Sequence, residues 1–382
     1  MKFGQRSIRM RPLGAACAVV AVVALIATGC SGSSGGGGTA SGNAAAQAKA
    51  AAAIAANWEK PPTKLAISQP LKTKPPTGKT FVWLNCEIPS CKNIGAGVTA
   101  AAEAAGWTVK TVQYNETDVS SLISAFKLAL NYHPTAVGLA GLPEAVWASV
   151  IPEYKKAGVV IVPCYVGPIP LNSTVIGNIG GPPDGEEHGT ILANWFIGNS
   201  KAKGHALSVR TDDLPSLKVF NDTFDKVVKS KCSDCKVTDL NIPYADVSAG
   251  KANSAVVSAL QRDSSIDYVV ATEGPFIDGL PAALSAAGLS KQVKIAGENS
   301  DVENLTDVKK GTEDAWTGAA NTIAGWQIMD VVFRHVEGMK FDPYDGVQPK
   351  QLLTRSVSFT PTNNWNEPAN YPDLFKSLWK LS

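Results

Sequence analysis

The sequence predicts an α/β protein of two lobes, each built on a parallel sheet. Three observations lead there. From residue 79 onward, short apolar runs alternate with longer amphipathic stretches. The apolar runs are rich in β-branched residues and do not alternate with polar ones, the pattern of strands covered on both faces. The order of elements then repeats at an offset of about 130 residues, too long for a solenoid period.

Residues 80–84 read as the first strand and residues 95–105 as an alanine-rich helix. Residues 108–114 are strand-like. Val119, Leu122, Ile123, Phe126 and Leu130 recur at the spacing of one helix face. Residues 136–140 form a buried strand. A helix then runs from Pro143 to Gly158, with a kink expected at Pro152. Strands follow at 159–162 and 174–179. Gly180-Gly181-Pro182-Pro183 lacks the backbone donors a phosphate would need, and reads as the first crossing between lobes. In the second half, strands are expected at 206–209, 237–242, 267–272 and 293–297. Helices are expected at 217–228, around Val256, Val257 and Leu260, and at 275–288. Ala136-Val-Gly-Leu-Ala-Gly141 and Tyr268-Val-Val-Ala-Thr-Glu-Gly274 each precede a proline-started helix that ends in Ala-Gly. Two open sheets of this kind direct their strand carboxyl ends toward a shared cleft, where ligands bind.

The 382 residues are 45% hydrophobic, ample for packed cores. Charged residues make up 18%, against about 25% in an average soluble protein. Lys2, Arg6, Arg9 and Arg11 fall in a leader without acids; with them set aside, 31 basic residues face 33 acidic ones. A nearly neutral body excludes a nucleic-acid binder, which needs a basic face. Residues 13–27 are uncharged and mostly apolar, too short for a comfortable membrane span. They end in Ile26-Ala27-Thr28-Gly29-Cys30. Residues 1–29 therefore read as an export signal. Residues 30–78 read as a tether, first Gly/Ser/Ala-rich and flexible, with an alanine-rich part that could be helical but has no polar–apolar period, then extended by Pro61, Pro62, Pro70, Pro75 and Pro76. The folded body is expected to start near Lys79.

Cysteine use agrees with export. Cys86 pairs locally with Cys91 and Cys232 with Cys235, as disulfides of an exported chain, while Cys164 sits in an apolar run as a small buried hydrophobe. A redox role for Cys232-Ser-Asp-Cys235 would place it at a helix N-terminus, but it follows a helical segment. A four-cysteine zinc site would need the two pairs to meet in space. His188 follows Glu186-Glu187 without a second histidine four residues on, so no metal is expected. Trp83 and Trp316 read as core. A Gly-x-Ser-x-Gly match occurs only at Gly32–Gly36, inside the Gly/Ser-rich tether, and Walker and GxGxxG signatures are absent, so no catalytic residue and no cofactor are expected.

The carrying segments are Gly78-Lys-Thr-Phe-Val-Trp-Leu-Asn-Cys86, Ala140-Gly-Leu-Pro-Glu-Ala-Val-Trp147, Val293-Lys-Ile-Ala-Gly297 and residues 311–323. On these the chain resembles a type I periplasmic binding protein of the ribose-binding and LacI-like group, over roughly residues 79–339. More narrowly, it resembles the lipoprotein substrate-binding component of a sugar-type ABC transporter. The resemblance implies two Rossmann-like lobes with parallel sheets, joined by a multi-strand hinge, with the ligand cleft between them. Residues 79–182 plus 321–340 would form the N-terminal lobe. Residues 183–320, with part of 341–382, would form the C-terminal lobe and tail. LacI-type repressors carry a helix-turn-helix where this chain has a leader and tether. The leader is similar to that of a bacterial lipoprotein, which implies lipidation of Cys30; an ordinary cleaved signal is the alternative.

By the same resemblance, ligand contacts come from loops after the strands. Carried over, they are Glu87, Pro143, Tyr165, Arg210, Asp212, Phe220, Glu273, Glu298, Asn299 and Asn321. The chain departs from sugar-binding relatives in placing Cys164-Tyr165 where an Asp-Arg pair is common. Phe220 stands where an arginine is expected, Asn299 where an Asp is usual, and Ala319 where a glutamine is expected. The remaining set is aromatic and acidic, suited to a sugar face or to an aromatic or cationic molecule. The expected function is capture of a small polar, carbohydrate-like molecule by lobe closure and delivery to an ABC transporter permease. The expected protein is a monomer, held to the outer face of the cell membrane through its lipid alone. A sensory receptor of the same fold is the alternative; an exported hydrolase would need a nucleophile–base pair.

Overall fold

Continuous apolar runs become central strands, and the strands set two parallel sheets. The structure, a computed structural model, describes residues 38–381; the leader and Cys30 lie outside the described residues. In the first lobe, β1 (Thr80–Asn85), β2 (Thr108–Gln113), β3 (Ala136–Ala140) and β4 (Val160–Cys164) pair in the order β2-β1-β3-β4. All the pairings are parallel. In the second, the strands are β5 (His205–Arg210), β6 (Lys236–Asn241), β7 (Tyr268–Ala271), β8 (Lys294–Ser300), β9 (Ala315–Gly318) and β10 (Leu352–Thr354). Their order is β10-β9-β8-β7-β5-β6, and β10 alone is antiparallel to its neighbour. Each lobe thus has its second strand on one side of its first and its third and fourth in order on the other, the repeat read from the sequence. Strands β3, β4 and β7 are buried along their whole length. Trp83 on β1 and Trp316 on β9 are core residues.

Helices cover the sheets. On the first lobe, α2 (Pro89–Ala104), α3 (Val119–Leu130), α4 (Glu144–Trp147) and α5 (Ile151–Ala157) connect the strands. Asp118 caps α3 by accepting from the Ser120 amide. The helix expected from Pro143 breaks into α4, a 3-10 turn and α5 at Pro152, which has no N–H to continue the ladder. Gly158 ends α5 with φ +67°, a left-handed geometry that suits glycine. On the second lobe lie α6 (Pro182–Asn199), α7 (Pro215–Lys231), α8 (Tyr244–Ser248), α9 (Ala252–Arg262), α10 (Leu280–Ala286) and α11 (Val302–Lys310). The chain then returns to the first lobe as α12 (Asn321–Val336) and ends in α13 (Tyr371–Leu378). Trp379 stacks on Trp326 of α12 at 5.2 Å and meets Phe333 edge-on, which fixes the tail on α12.

Several expectations need correction. Residues 38–58, read as part of a flexible tether, form a helix, α1 (Gly38–Trp58). Ala44, Ala51 and Ala55 are buried in one core with Ile191 and Trp195 of α6. Alanines on the outer face hid this stripe, because no polar residues alternate with it. Nor does the body start at Lys79: Leu65, Ile67 and Leu71 are buried in the main core. The Leu71 amide donates to the Leu378 carbonyl. Residues 174–179 make only isolated bridges, Val175 to Ile161 and Ile179 to Cys164. Residues 275–288 split at Asp278-Gly279 into a 3-10 turn and α10. Pro182 and Pro183 do not form the crossing; they open α6, where missing N–H groups cost nothing. Strands β9 and β10 were not anticipated.

Glycines let the covering helices approach closely. A Cβ on Gly97 of α2 would lie 2.1 Å from the Thr322 carbonyl oxygen of α12, and one on Gly325 of α12 2.3 Å from that of Ile94. In the other lobe, a Cβ on Gly189 of α6 would lie 2.6 Å from the Phe220 carbonyl oxygen of α7. The same kind of close helix contact thus recurs in both lobes.

Candidate functional site

The carboxyl ends of both sheets open onto one cavity of about 300 Å³, at the small end of the range for small-molecule pockets. The first lobe supplies Ile88, Ser90, Cys91 and Ile94 from the start of α2, Glu116 after β2, Gly141 after β3 and Tyr165 after β4. The second supplies Asp184 and His188 from the first turns of α6, Leu217 from α7 and Tyr244 from α8. It adds Glu273 and Phe276 after β7, and Glu298, Asn299 and Asp301 at the end of β8. Asn321 at the start of α12 and Gln348 before β10 close the hinge side. The Cys86–Cys91 disulfide pins the loop after β1, so it shapes this wall directly.

Two contacts tie the walls together. The Tyr244 hydroxyl donates to Glu116 Oε2 across the lobes at 3.0 Å. The Tyr165 hydroxyl donates to Gln348 Oε1 at 2.6 Å, joining the first lobe to a hinge segment. Tyr165 itself holds φ +53°, and its ring packs against Gly180, where a Cβ would lie 2.5 Å from the ring.

The cavity floor is an ion network. Lys350 Nζ lies 2.5 Å from Asp184 Oδ1 and 3.3 Å from Glu187, with its side chain fully buried. Burial opposes charge on Asp184, but Lys350 and His188 outweigh it and hold the carboxyl well below its usual range. Burial and Lys350 push His188 down, toward the neutral imidazole. His188 Nδ1 meets Thr317 Oγ1 at 2.7 Å, while its Nε2 lies 3.4 Å from Asp184. Thr317 is fully buried on β9 and does not line the cavity, so this Asp-His-Thr row orients the histidine without offering a reachable nucleophile. Above the floor the acids have no such cation. Burial pushes the Glu273 carboxyl up to about 8, against the bond from Asn299. Burial first, then Glu273 and Asp184, raise Glu298 well above the ordinary range, against the opposing pull of Lys350. Burial also raises Glu116, against the bond from Tyr244.

The comparisons with known proteins converge on this architecture. The family described as periplasmic binding protein domain matches residues 80–340. The chain belongs to that family. No curated protein sequence matches it. Among solved structures it is similar to an ABC sugar transporter subunit from Rhodobacter sphaeroides 2.4.1, at TM-score 0.62 and 17% identity, over 73% of this chain and 99% of that one. It is similar to a 5-methylthioribose transporter solute binding protein from Thermotoga lettingae TMO, at TM-score 0.63 and 15% identity, over 82% and 100%. A third is an ABC transporter solute binding protein from Burkholderia graminis C4D1M in complex with D-arabinose, at 0.63 and 14%, over 74% and 98%. These likenesses are of fold.

Of the residues carried over from the resemblance, this periplasmic binding protein brings Tyr165, Glu273, Glu298, Asn299 and Asn321 together around the cavity. The others lie elsewhere. Arg210 turns away from the cleft and meets Asp212 at 3.1 Å, Asp222 at 2.5 Å, Asp225 at 2.7 Å and Asp239 at 3.4 Å. Asp212 is one of those partners and does not line the cavity. Phe220 is fully buried, stacked on Phe224 in the second-lobe core; Leu217, three residues earlier, takes the cleft face of α7. Glu87 is exposed beside the loop, and Pro143 precedes α4 as its cap residue outside the lining. Cys164 is a buried free thiol, and Cys232–Cys235 is bonded between α7 and β6, at the amino end of that strand. Among the described residues no cluster of three or more His, Cys, Asp or Glu suits a metal.

Sequence reasoning missed Glu116, Asp184, Tyr244, Phe276, Asp301 and Gln348. For Asp184 a signal existed: it stands four residues before His188, on the same face of the helix that Pro182 opens. For Gln348 none did, because it reaches the cleft through a crossing outside the duplicated core.

Proposed function

We propose that this chain is an extracytoplasmic solute-binding protein. It captures a small polar, carbohydrate-like molecule by lobe closure and delivers it to an ABC transporter permease. The observation that carries this reading is the cavity at the carboxyl ends of two parallel sheets, with aromatic and acidic side chains from both lobes. The Tyr244–Glu116 bond exists only while the lobes face each other, so a ligand touching both walls favours the closed form over the open one. Neighbours of the same fold include binders of 5-methylthioribose and D-arabinose, which supports a carbohydrate-like ligand. The leader and Cys30 support export and lipid anchoring. A Cys30→Ser variant that still partitions with membranes would remove the anchor from this reading.

The test is a thermal-shift screen of the full chain against sugars, polyols, amines and aromatic metabolites. A ligand at one hundred times its Kd should stabilise by about 2.7 kcal/mol. A melting temperature unmoved by every class would remove solute capture.

A further inference from the structure

The cavity's charge is one-sided. Glu116, Glu273, Glu298 and Asp301 line it, and no lysine or arginine does. Lys350 lies behind the wall and is held by Asp184 and Glu187. Arg210 is held by aspartates outside the cleft. Glu298 stands out. It is 6% exposed, lines the cavity, and accepts no side-chain hydrogen bond among the described residues; His188 Nδ1 stands 3.9 Å away, beyond hydrogen-bond reach. Asn321, 4% exposed, likewise lines the cavity with its Oδ1 unpartnered, and Gln348 Nε2 is an unpartnered donor there. Buried acceptors left open this way carry a desolvation cost that a donor-rich, positively charged guest removes. Tyr165, Tyr244 and Phe276 add ring faces that attract cations.

We infer that the cleft selects an organic cation: a small polyhydroxylated molecule bearing a protonated amine, of the amino-sugar class, with the ammonium group held by Glu298 and Glu273. This rests on the solute-capture reading and narrows its ligand class. The ammonium N–H groups would satisfy Glu298 and the Asn321 acceptor, while a hydroxyl oxygen of the same molecule would accept from Gln348. A neutral sugar brings no opposite charge to these carboxyls.

The groups facing these two carboxyls are His188, Asp184 and Lys350 around Glu298, and Asn299, Glu116 and Asp301 around Glu273. Burial favours the protonated form of both carboxyls in the empty cleft, raising Glu273 to about 8 and Glu298 well above its ordinary range. Pairing with one ammonium favours loss of one proton from the carboxyl pair. Affinity should therefore rise with pH for as long as the guest's amine stays protonated and fall once it does not, and on the rising limb the binding heat should vary with the buffer's ionisation heat in the sense of proton release. A neutral guest would use the protonated acids as donors and show neither effect.

The test titrates the full chain with D-glucosamine, D-galactosamine and D-mannosamine against D-glucose, D-galactose and D-mannose, beside the broader screen above. At least one amine should bind tenfold or more tighter than its neutral partner. Glu298→Gln should weaken the amine tenfold or more and remove most of the proton release. Its circular dichroism should match the parent, since Gln keeps the shape of the acid and adds no charge to the cleft. Neutral sugars binding as tightly as their amines, or a screen in which only uncharged molecules bind, would overturn the amine and leave solute capture standing. A chain that answers to no small molecule removes both.

Discussion

Gly97→Ala tests whether helix approach sets the cleft. The added Cβ would lie 2.1 Å from the Thr322 carbonyl oxygen, where ordinary contact starts at 3.4 Å, so α2 and α12 must part by roughly 1.3 Å there. The blocking atom is backbone and cannot swing aside. Alanine gains about 1 kcal/mol of helix propensity over glycine. Overpacking costs about 1–3 kcal/mol, and a backbone-on-backbone clash belongs at the upper end. A net loss of about 1–2 kcal/mol should lower the melting temperature by a few degrees. The functional consequence is larger than the stability cost. Ile94, one turn before Gly97, and Asn321, next to Thr322, both line the cavity, so the displacement moves two walls at once. Calorimetric titration of the full chain should show affinity reduced several-fold or more. A melting temperature equal to or above the parent's would refute the reasoning, because helix propensity would then have outweighed a contact that the packing cannot absorb.

Tyr165→Ala should weaken binding by about 1–3 kcal/mol through lost ring contact, with little change in melting temperature; unchanged affinity would place the ligand away from Tyr165. Replacing Cys86 and Cys91 by serine should cost about 2 kcal/mol of stability from a released loop and weaken binding further, since Cys91 lines the cavity. The Cys232/Cys235 double-serine variant should lower stability alone, and equal effects of the two pairs on affinity would sink the distinction. Glu273 holds its proton in the folded chain up to about pH 8 but loses it near its ordinary value when unfolded, so its contribution to ligand-free stability falls as pH rises between those limits. Glu273→Gln should flatten that fall, and an unchanged slope in melting temperature against pH would show that this carboxyl is not the buried acid the geometry describes.

The fold was legible where burial is two-sided. Runs such as Ala136-Val-Gly-Leu-Ala140 admit little but a central strand, and the Pro143 and Gly158 pair bounded its helix through backbone chemistry alone. The additions to the duplicated core were not legible. In α1 a buried alanine stripe faces out through more alanine, so composition read as tether. Strand β10 is three residues long and owes its pairing to β9, a partner far away in sequence. Residues 65–71 lack any periodic signal, and their burial follows from a surface built by α12 and α13.

The site shows a different limit. A sequence ranks residues by chemistry, and by chemistry Arg210 was the obvious polar anchor for a ligand. Whether an arginine faces a cleft depends on what else can hold it, and here Asp222 and Asp225 on α7 and Asp239 on β6 surround it. Those aspartates lie on neighbouring elements, one helix and one strand away, so no local pattern announces them. Drawing Arg210 onto them removes the positive charge that might have faced Glu273 and Glu298, and Asp184 with Glu187 does the same to Lys350. The cleft's acidity therefore arises less from an excess of carboxylates than from where the cations are held. That arrangement costs nothing in net charge, which is why composition gave no sign of it. A binding site whose cations are all engaged behind its walls stays open to a cation brought by the guest.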